Sequence, residues 1–109
     1  MSFNIIPTPP FEKELKQLAK KYPSIKSDIT ALAIKLQQET KMGTPLGNDC
    51  YKIRMDISSK GKGKSGGARV ITYVQVVETN IFLLSIYDKA DAANISDKEL
   101  QKRLKRLNK

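Results

Sequence analysis

SSKGKGKSGGARVITYVQVV, residues 58–77, opens as a glycine–lysine loop and closes as a β-branched run. Its first twelve residues hold four glycines and four cations, a composition suited to a phosphate. Gly61-x-Gly63-x-x-Gly66 has the spacing of a dinucleotide-binding fingerprint, but that motif needs a helix behind it, whose N-terminus holds the pyrophosphate. Gly63-Lys64-Ser65 ends like a P-loop, yet Ser58 stands where the leading glycine belongs, and again no helix comes next. A protein-kinase glycine loop does lie between strands, but a chain of 109 residues without histidine is too short for a kinase and lacks its catalytic-loop signature. The stretch therefore reads as a basic connection between two antiparallel strands, and no nucleotide or other small-molecule cofactor is expected.

Working outward, Tyr51, Ile53, Met55 and Ile57 alternate with Lys52, Arg54, Asp56 and Ser58, the pattern of a strand with one apolar and one polar face. ARVITYVQVV and TNIFLLSIYDK give two more strands, with VETN as the turn between them. Upstream, Phe3, Ile5 and Ile6 predict a short first strand closed by Pro7. Thr8 then caps a helix with Pro9 at its first position. Phe11, Leu15, Leu18, Ala19 and Tyr22 line that helix, and Pro23 stops it. Ser24 opens a second helix, with Ile25, Ile29, Leu32, Ala33 and Leu36 on one face, ending near Met42-Gly43. GTPLGND reads as a loop. At the end, ISDKEL predicts a helix start, with Ser96 and Glu99 as a capping box and Ile95 and Leu100 as a hydrophobic staple. The expected architecture is α+β, in the order β-α-α-β-β-β-α: a helix hairpin on a mostly antiparallel four-stranded sheet, with a C-terminal helix, as one domain over residues 1–109.

The formal net charge is +9, which points to an anionic partner. No apolar run approaches the ~18 residues of a membrane span, so no membrane partner is expected. The N-terminus has no basic segment followed by a long apolar one. A single cysteine, Cys50, has no internal partner. These features favour the cytoplasm. Without histidine, acid–base chemistry falls to Lys, Tyr, Asp or Glu, and neither a Cys/His nucleophile nor a thiolate zinc site can be built. Asp88 and Asp91 read as a turn, since their spacing fits no calcium loop, and no metal site is expected.

The cations concentrate around the glycine loop. Lys52 and Arg54 share one face of their strand. Lys60, Lys62 and Lys64 come next, in the loop, and Arg69 opens the following strand. Only Asp56 opposes these six cations, an arrangement that favours an arriving anion. The loop lysines suit phosphate contact without base specificity. RNA also brings its own nucleophile, the 2′-hydroxyl. An enzyme needs to align it with the phosphate, assist its deprotonation and stabilise the developing charge. Arginines supply the last through bidentate donors. A lysine acts as base only if crowding by other cations lowers its pKa from ~10.4 towards neutrality.

CYKIRMDISSKGKGKSGGARVITYV, followed by FLLSIYDKADAANIS, resembles the RelE/HigB-like toxins of bacterial type II toxin–antitoxin modules, within the RelE/ParE superfamily. The resemblance rests on the K-I-R strand, the glycine–lysine loop, the Gly-x-Arg-Val opening, the IYDK strand end and the PLG segment before the first of these. It implies a small basic toxin that cuts mRNA, typically on ribosomes, until a cognate antitoxin neutralises it. It matches Lys52 and Arg54 to the family's basic pair and Arg69 to its arginine on the following strand, with Lys52 as a base or charge stabiliser and Arg54 and Arg69 holding the scissile phosphate and its developing charge. Lys60, Lys62, Lys64, Tyr87 and Lys89 become RNA contacts. Well-known members carry an arginine after the position of Lys89 and a tyrosine a few residues later; here those places hold Ala90 and, approximately, Ile95. Two other functions fit the same chain: a non-catalytic gyrase inhibitor of the ParE branch, and a basic RNA-binding module without chemistry.

Overall fold

The computed structural model describes residues 2–107. Its elements run β1 (Asn4–Pro7), α1 (Pro9–Lys21), α2 (Ile25–Gln38), β2 (Thr44–Gly47), β3 (Cys50–Met55), β4 (Ala68–Gln75), β5 (Asn80–Asp88) and α3 (Asp97–Leu107). The strands form one sheet in the order β1-β5-β4-β3-β2. β1 lies parallel to β5, and the other pairings are antiparallel. This is the expected α+β arrangement with one strand more.

The additional strand, β2, comes from the segment read as a loop. Pro45 and the flanking glycines argue against a central strand, but a sheet edge tolerates proline because one side of it needs no ladder bonds. All four β2 residues are exposed. Asn48 and Asp49 turn the chain back with φ of 54° and 61°, the doubly left-handed conformation that a two-residue hairpin prefers. Gly43, at φ 102°, brings the chain onto β3 so closely that a Cβ there would lie 2.4 Å from the Lys52 carbonyl oxygen.

The helix starts are largely as the sequence predicts. Thr8 Oγ1 accepts from the Phe11 amide at 3.4 Å and donates to the Leu83 carbonyl at 2.9 Å, so one hydroxyl caps α1 and fastens it to β5. Ser96 Oγ accepts from the Glu99 amide at 3.1 Å. The reciprocal half of that capping box is absent, because the Glu99 carboxylate takes Arg103 Nε at 2.8 Å instead. Ser24 departs further: its hydroxyl makes no cap bond and donates to Asp28 Oδ2 at 2.8 Å. α2 stops at Gln38, short of the expected end, and Met42 then turns back to pack against the core.

The sheet separates two apolar clusters. On one face, Phe11, Tyr22, Ile25, Leu32 and Leu36 of the first two helices and their junction pack on Ile53, Val70, Ile81 and Ile86. On the other, Leu100 and Leu104 of α3 pack on Cys50, Ile71 and Leu84. A bulge makes this possible. The β4–β5 register shifts between Ile71 and Thr72, so that Ile71 faces Ser85 while Thr72 faces Leu83. Leu84 is the extra residue, and strand alternation is inverted beyond it. β1 ends opposite Leu83, so β5 runs on past its parallel partner. There the Ile86 amide donates to Glu14 Oε1 at 3.2 Å, and the Leu84 carbonyl accepts from Arg103 at 2.7 Å. Arg103 also grips both Glu14 oxygens, at 2.9 and 3.0 Å. One guanidinium thus joins α3, α1 and the free edge of β5. Replacing it with methionine keeps the apolar stem and removes these bonds. Arg103→Met is expected to lower stability by roughly 1–3 kcal/mol in urea unfolding and to speed hydrogen exchange in α3.

Candidate functional site

The pairing of β3, β4 and β5 fixes where the cations stand. Arg54 faces Arg69, and Arg69 faces Tyr87, so the three lie in one row across the sheet. Lys52 is two residues along from Arg54, opposite Ile71. Ile71 packs under α3, so the row belongs to the α3 face, beyond the start of that helix. Directly paired residues on one face have Cβ atoms ~5 Å apart. Two arginines and a tyrosine therefore stand side by side across three strands, with no carboxylate in the row.

The members differ in setting. Arg54 is exposed and Lys52 half-buried. Lys52 Nζ donates to Asn94 Oδ1 at 2.7 Å. Together they border a cleft of about 360 Å³, completed by Leu46, Ile95, Ser96 and Leu100 among others. Arg69, by contrast, is only 5% exposed. Its Nη1 donates to the carbonyls of Lys64 at 3.0 Å and Ala68 at 3.1 Å, and its Nη2 to that of Ser65 at 3.2 Å. The Tyr87 hydroxyl is buried and makes no hydrogen bond among the described residues. Burial pushes this phenol above its ordinary range, against the opposing influence of the Ile95 backbone and the Arg69 charge. It therefore stays protonated at neutral pH. The buried Cys50 thiol is pushed up to about 11, chiefly by burial and secondarily by Asp49, so it is no thiolate nucleophile at neutral pH.

The glycine loop, residues 56–67, is anchored at its start. Ser58 donates to Asp28 through its amide at 3.0 Å and its hydroxyl at 2.6 Å, and the Ser59 amide donates to Ser24 Oγ at 2.8 Å. Lys60 is turned inward. Its ammonium sits 2.7 Å from Asp88 Oδ1 and 5.7 Å from the centroid of the Tyr22 ring, whose hydroxyl donates to Asp88 Oδ2 at 2.6 Å. Expected as an RNA contact, Lys60 is instead spent on a buried carboxylate. The tip is open: Lys62 and Lys64 are exposed, as is Lys89. The Lys89 amide donates to the Gly67 carbonyl at 3.0 Å, which brings Lys89 beside the loop's return. Gly67 itself admits no side chain, since a Cβ would lie 2.2 Å from the Met55 carbonyl oxygen. The Asp88–Asp91 turn is present as expected, with Asp91 and Ala92 amides on the Asp88 carbonyl.

A family model for the RelE toxin of the RelE/RelB toxin–antitoxin system matches residues 11–109. The chain belongs to the RelE toxin family. Solved structures of the same fold include a free E. coli RelE toxin bearing two arginine-to-alanine substitutions. It is 16% identical over 97% of this chain and 98% of that one, with a TM-score of 0.66. The RelBE2 toxin–antitoxin complex of Mycobacterium tuberculosis contributes a chain 17% identical, over 81% of this chain and 99% of that one, with a TM-score of 0.62. The isolated E. coli RelE toxin matches at 17% identity, 97% and 99% coverage, and a TM-score of 0.57.

Within this RelE-family fold, sequence reading missed Asn94 as the partner of Lys52 and missed the Tyr22–Asp88–Lys60 network. Asn94 is 42 positions from Lys52, and Tyr22 is 66 positions from Asp88; no periodicity links residues so far apart. The one available signal was the acid in the otherwise basic and apolar IYDK strand end, since a carboxylate that points into a core needs partners. Burial works to raise the Asp88 carboxyl, but hydrogen bonds from Lys60, Tyr22 and the Ala90 amide outweigh it and hold it at about 2, below the usual 3.8. A carboxyl lowered in the folded state stabilises fully above its unfolded value and loses that contribution as pH falls through the folded value. The difference amounts to roughly 2 kcal/mol. The stability gap between wild type and Asp88→Asn, measured by urea unfolding, is expected to stay constant above pH ~4 and to close progressively towards pH ~2.

Proposed function

We propose that this RelE-family toxin is an mRNA endonuclease that acts on translating ribosomes in the bacterial cytoplasm and is silenced by a cognate antitoxin. The observation that carries this reading is the row Arg54–Arg69–Tyr87, with Lys52 beside it, on a chain of net charge +9. A cluster of cations is suited to a phosphodiester and to the charge that builds on it during cleavage. The exposed Lys62, Lys64 and Lys89 flank it, as a phosphate backbone would require.

In the proposed reaction the 2′-hydroxyl of the RNA gives up its proton to water and attacks its own 3′-phosphate. The O2′–P bond forms and the P–O5′ bond breaks, leaving a 2′,3′-cyclic phosphate and a 5′-hydroxyl. Lys52, steadied by Asn94, and Arg54 stabilise the charge that builds on the phosphoryl oxygens. The departing O5′ takes its proton from water. Lys62, Lys64 and Lys89 hold the backbone on either side and carry no base preference. The RelBE2 structure is a toxin–antitoxin complex, which supports an antitoxin partner for this chain too. The cationic row and the exposed β2 edge are the surfaces suited to an acidic or amphipathic segment of such a partner.

The test is mRNA cleavage by purified variants in a translating extract. Lys52→Ala and Arg54→Ala are each expected to slow cleavage about 10²-fold or more, the scale for losing one charge-stabilising donor. Cleavage at wild-type rate in both cation variants sinks the assignment. A supercoiling assay separates the gyrase-inhibitor alternative, which predicts inhibition that neither of these substitutions alters.

A further inference from the structure

Lys52 is one of the two cations that the cleavage reading assigns to the developing charge, and its head group is held in place. The ammonium donates to Asn94 Oδ1 at 2.7 Å, while Arg54, two residues along the same strand, is exposed. An ammonium carries only donors, so the oxygen of the Asn94 amide is the atom that faces it. Asn94 itself lies between two fixed points. Upstream, the Ala90 amide donates to Asp88 Oδ1 at 3.0 Å, and the Asp91 and Ala92 amides reach the Asp88 carbonyl at 3.0 and 3.2 Å. Downstream, Ile95 packs into the apolar cluster under α3, and Ser96 caps that helix. The connection from β5 to α3 is thereby fastened at both ends, with Asn94 between them and within reach of β3.

We propose that Asn94 is a positioning residue: it aims the Lys52 ammonium at the place of the phosphate and, being an uncharged acceptor, does so without neutralising it. This rests on the RNA-cleavage reading above. A lysine head on a flexible four-carbon stem samples many rotamers. Ordering it at the moment of reaction is costly, and a hydrogen bond already in place removes that cost beforehand. A carboxylate would hold the ammonium as firmly, but it would cancel the charge that the phosphoryl oxygens need. One is close at hand and is not used. Asp97 lines the same cleft as Lys52 and Asn94, yet among the described residues no carboxylate forms an ion pair with Lys52. Lys60 gives the contrast within the same chain. Its ammonium lies 2.7 Å from the Asp88 carboxylate and serves the fold. Lys52 lies at the same distance from an amide oxygen and keeps its charge for a ligand.

Two measurements test this. The first follows the Lys52 Cε signal by NMR in the protein without RNA, assigned through Lys52→Ala. Asn94→Ala is expected to lower the order of that side chain, and Asn94→Asp to preserve it. Asn94 is exposed, so both variants are expected to keep the wild-type midpoint in urea unfolding. The second measures single-turnover cleavage of mRNA on programmed ribosomes over a range of toxin concentration. Asn94→Ala is expected to lower the maximal rate about tenfold, the scale of one hydrogen bond to a charged group, with the half-saturating concentration unchanged. Asn94→Asp, although ordered, is expected to lower it about 10²-fold, as loss of the Lys52 donor does. In a Lys52→Ala background either substitution is expected to change the rate less than about twofold, because Asn94 acts through Lys52. A merely structural role predicts losses that add to that of Lys52→Ala. Such additive losses, wild-type cleavage by Asn94→Asp, or an unchanged Lys52 signal in Asn94→Ala overturn the proposal. A wild-type protein that leaves mRNA uncut contradicts the underlying cleavage reading. That failure is told apart from failure of the positioning role, because the NMR measurement tests the hold on Lys52 with no RNA present.

Discussion

The Asp88 carboxylate lies at the end of β5 with its side chain fully buried, and a buried charge must be met by donors or not be there. Three parts of the chain supply them: Tyr22 from the end of α1, Lys60 from the glycine loop, and the Ala90 amide from the turn after β5. One carboxylate therefore closes the helix hairpin onto the sheet, pulls the outgoing limb of the loop inward and bends the chain towards α3. Its neighbour Tyr87 points the opposite way, because successive side chains of a strand alternate. The structural network and the proposed chemical row are thus built from two adjacent residues on opposite faces of one strand.

The bulge at Leu84 makes that division work. Without it, the alternation that places Phe82 and Leu84 under α3 would also place Ile86 and Asp88 there, and Tyr87 would enter the helix-hairpin core. With the inversion, Ile86 joins the core with Ile53 and Val70, and Tyr87 joins Arg69 and Arg54. A bulge leaves ladder groups unpaired, and here Glu14 and Arg103 take up the edge of β5 beyond it. A structural ion pair between helices far apart in sequence thereby supports the register on which the cationic row depends.

Much of the fold is legible in the sequence because local chemistry fixes it. Thr8-Pro9 announces α1, Ser96 announces α3, and the alternation from Tyr51 to Ile57 gives β3 with its cations on one side. The glycine loop is told apart from nucleotide motifs by β4, a strand standing where those motifs need a helix. The β2 edge escapes sequence reading because Pro45 and the glycines weigh against a strand, although Asn48-Asp49 is a hairpin turn signal. Lys52 and Arg54 can be placed together from spacing alone. The different fates of Lys60 and Lys62 cannot. Both are lysines between glycines or serines, and only the tertiary position of Asp88 decides that one is an ion-pair partner and the other an exposed cation. Arg69 illustrates the same limit: the row is readable from strand pairing, but which donors are already occupied depends on where the loop carbonyls fall.

The central claim is that this surface breaks RNA rather than merely holding it. Mapping mRNA ends at nucleotide resolution in a translating extract, with the wild-type protein and with ribosomes present or removed, tests it most directly. Cuts are predicted within ribosome-covered codons, each with a 2′,3′-cyclic phosphate on the upstream fragment and a 5′-hydroxyl on the downstream one, and they are predicted to disappear when ribosomes are removed. Intact messages recovered from a bound complex would contradict the claim.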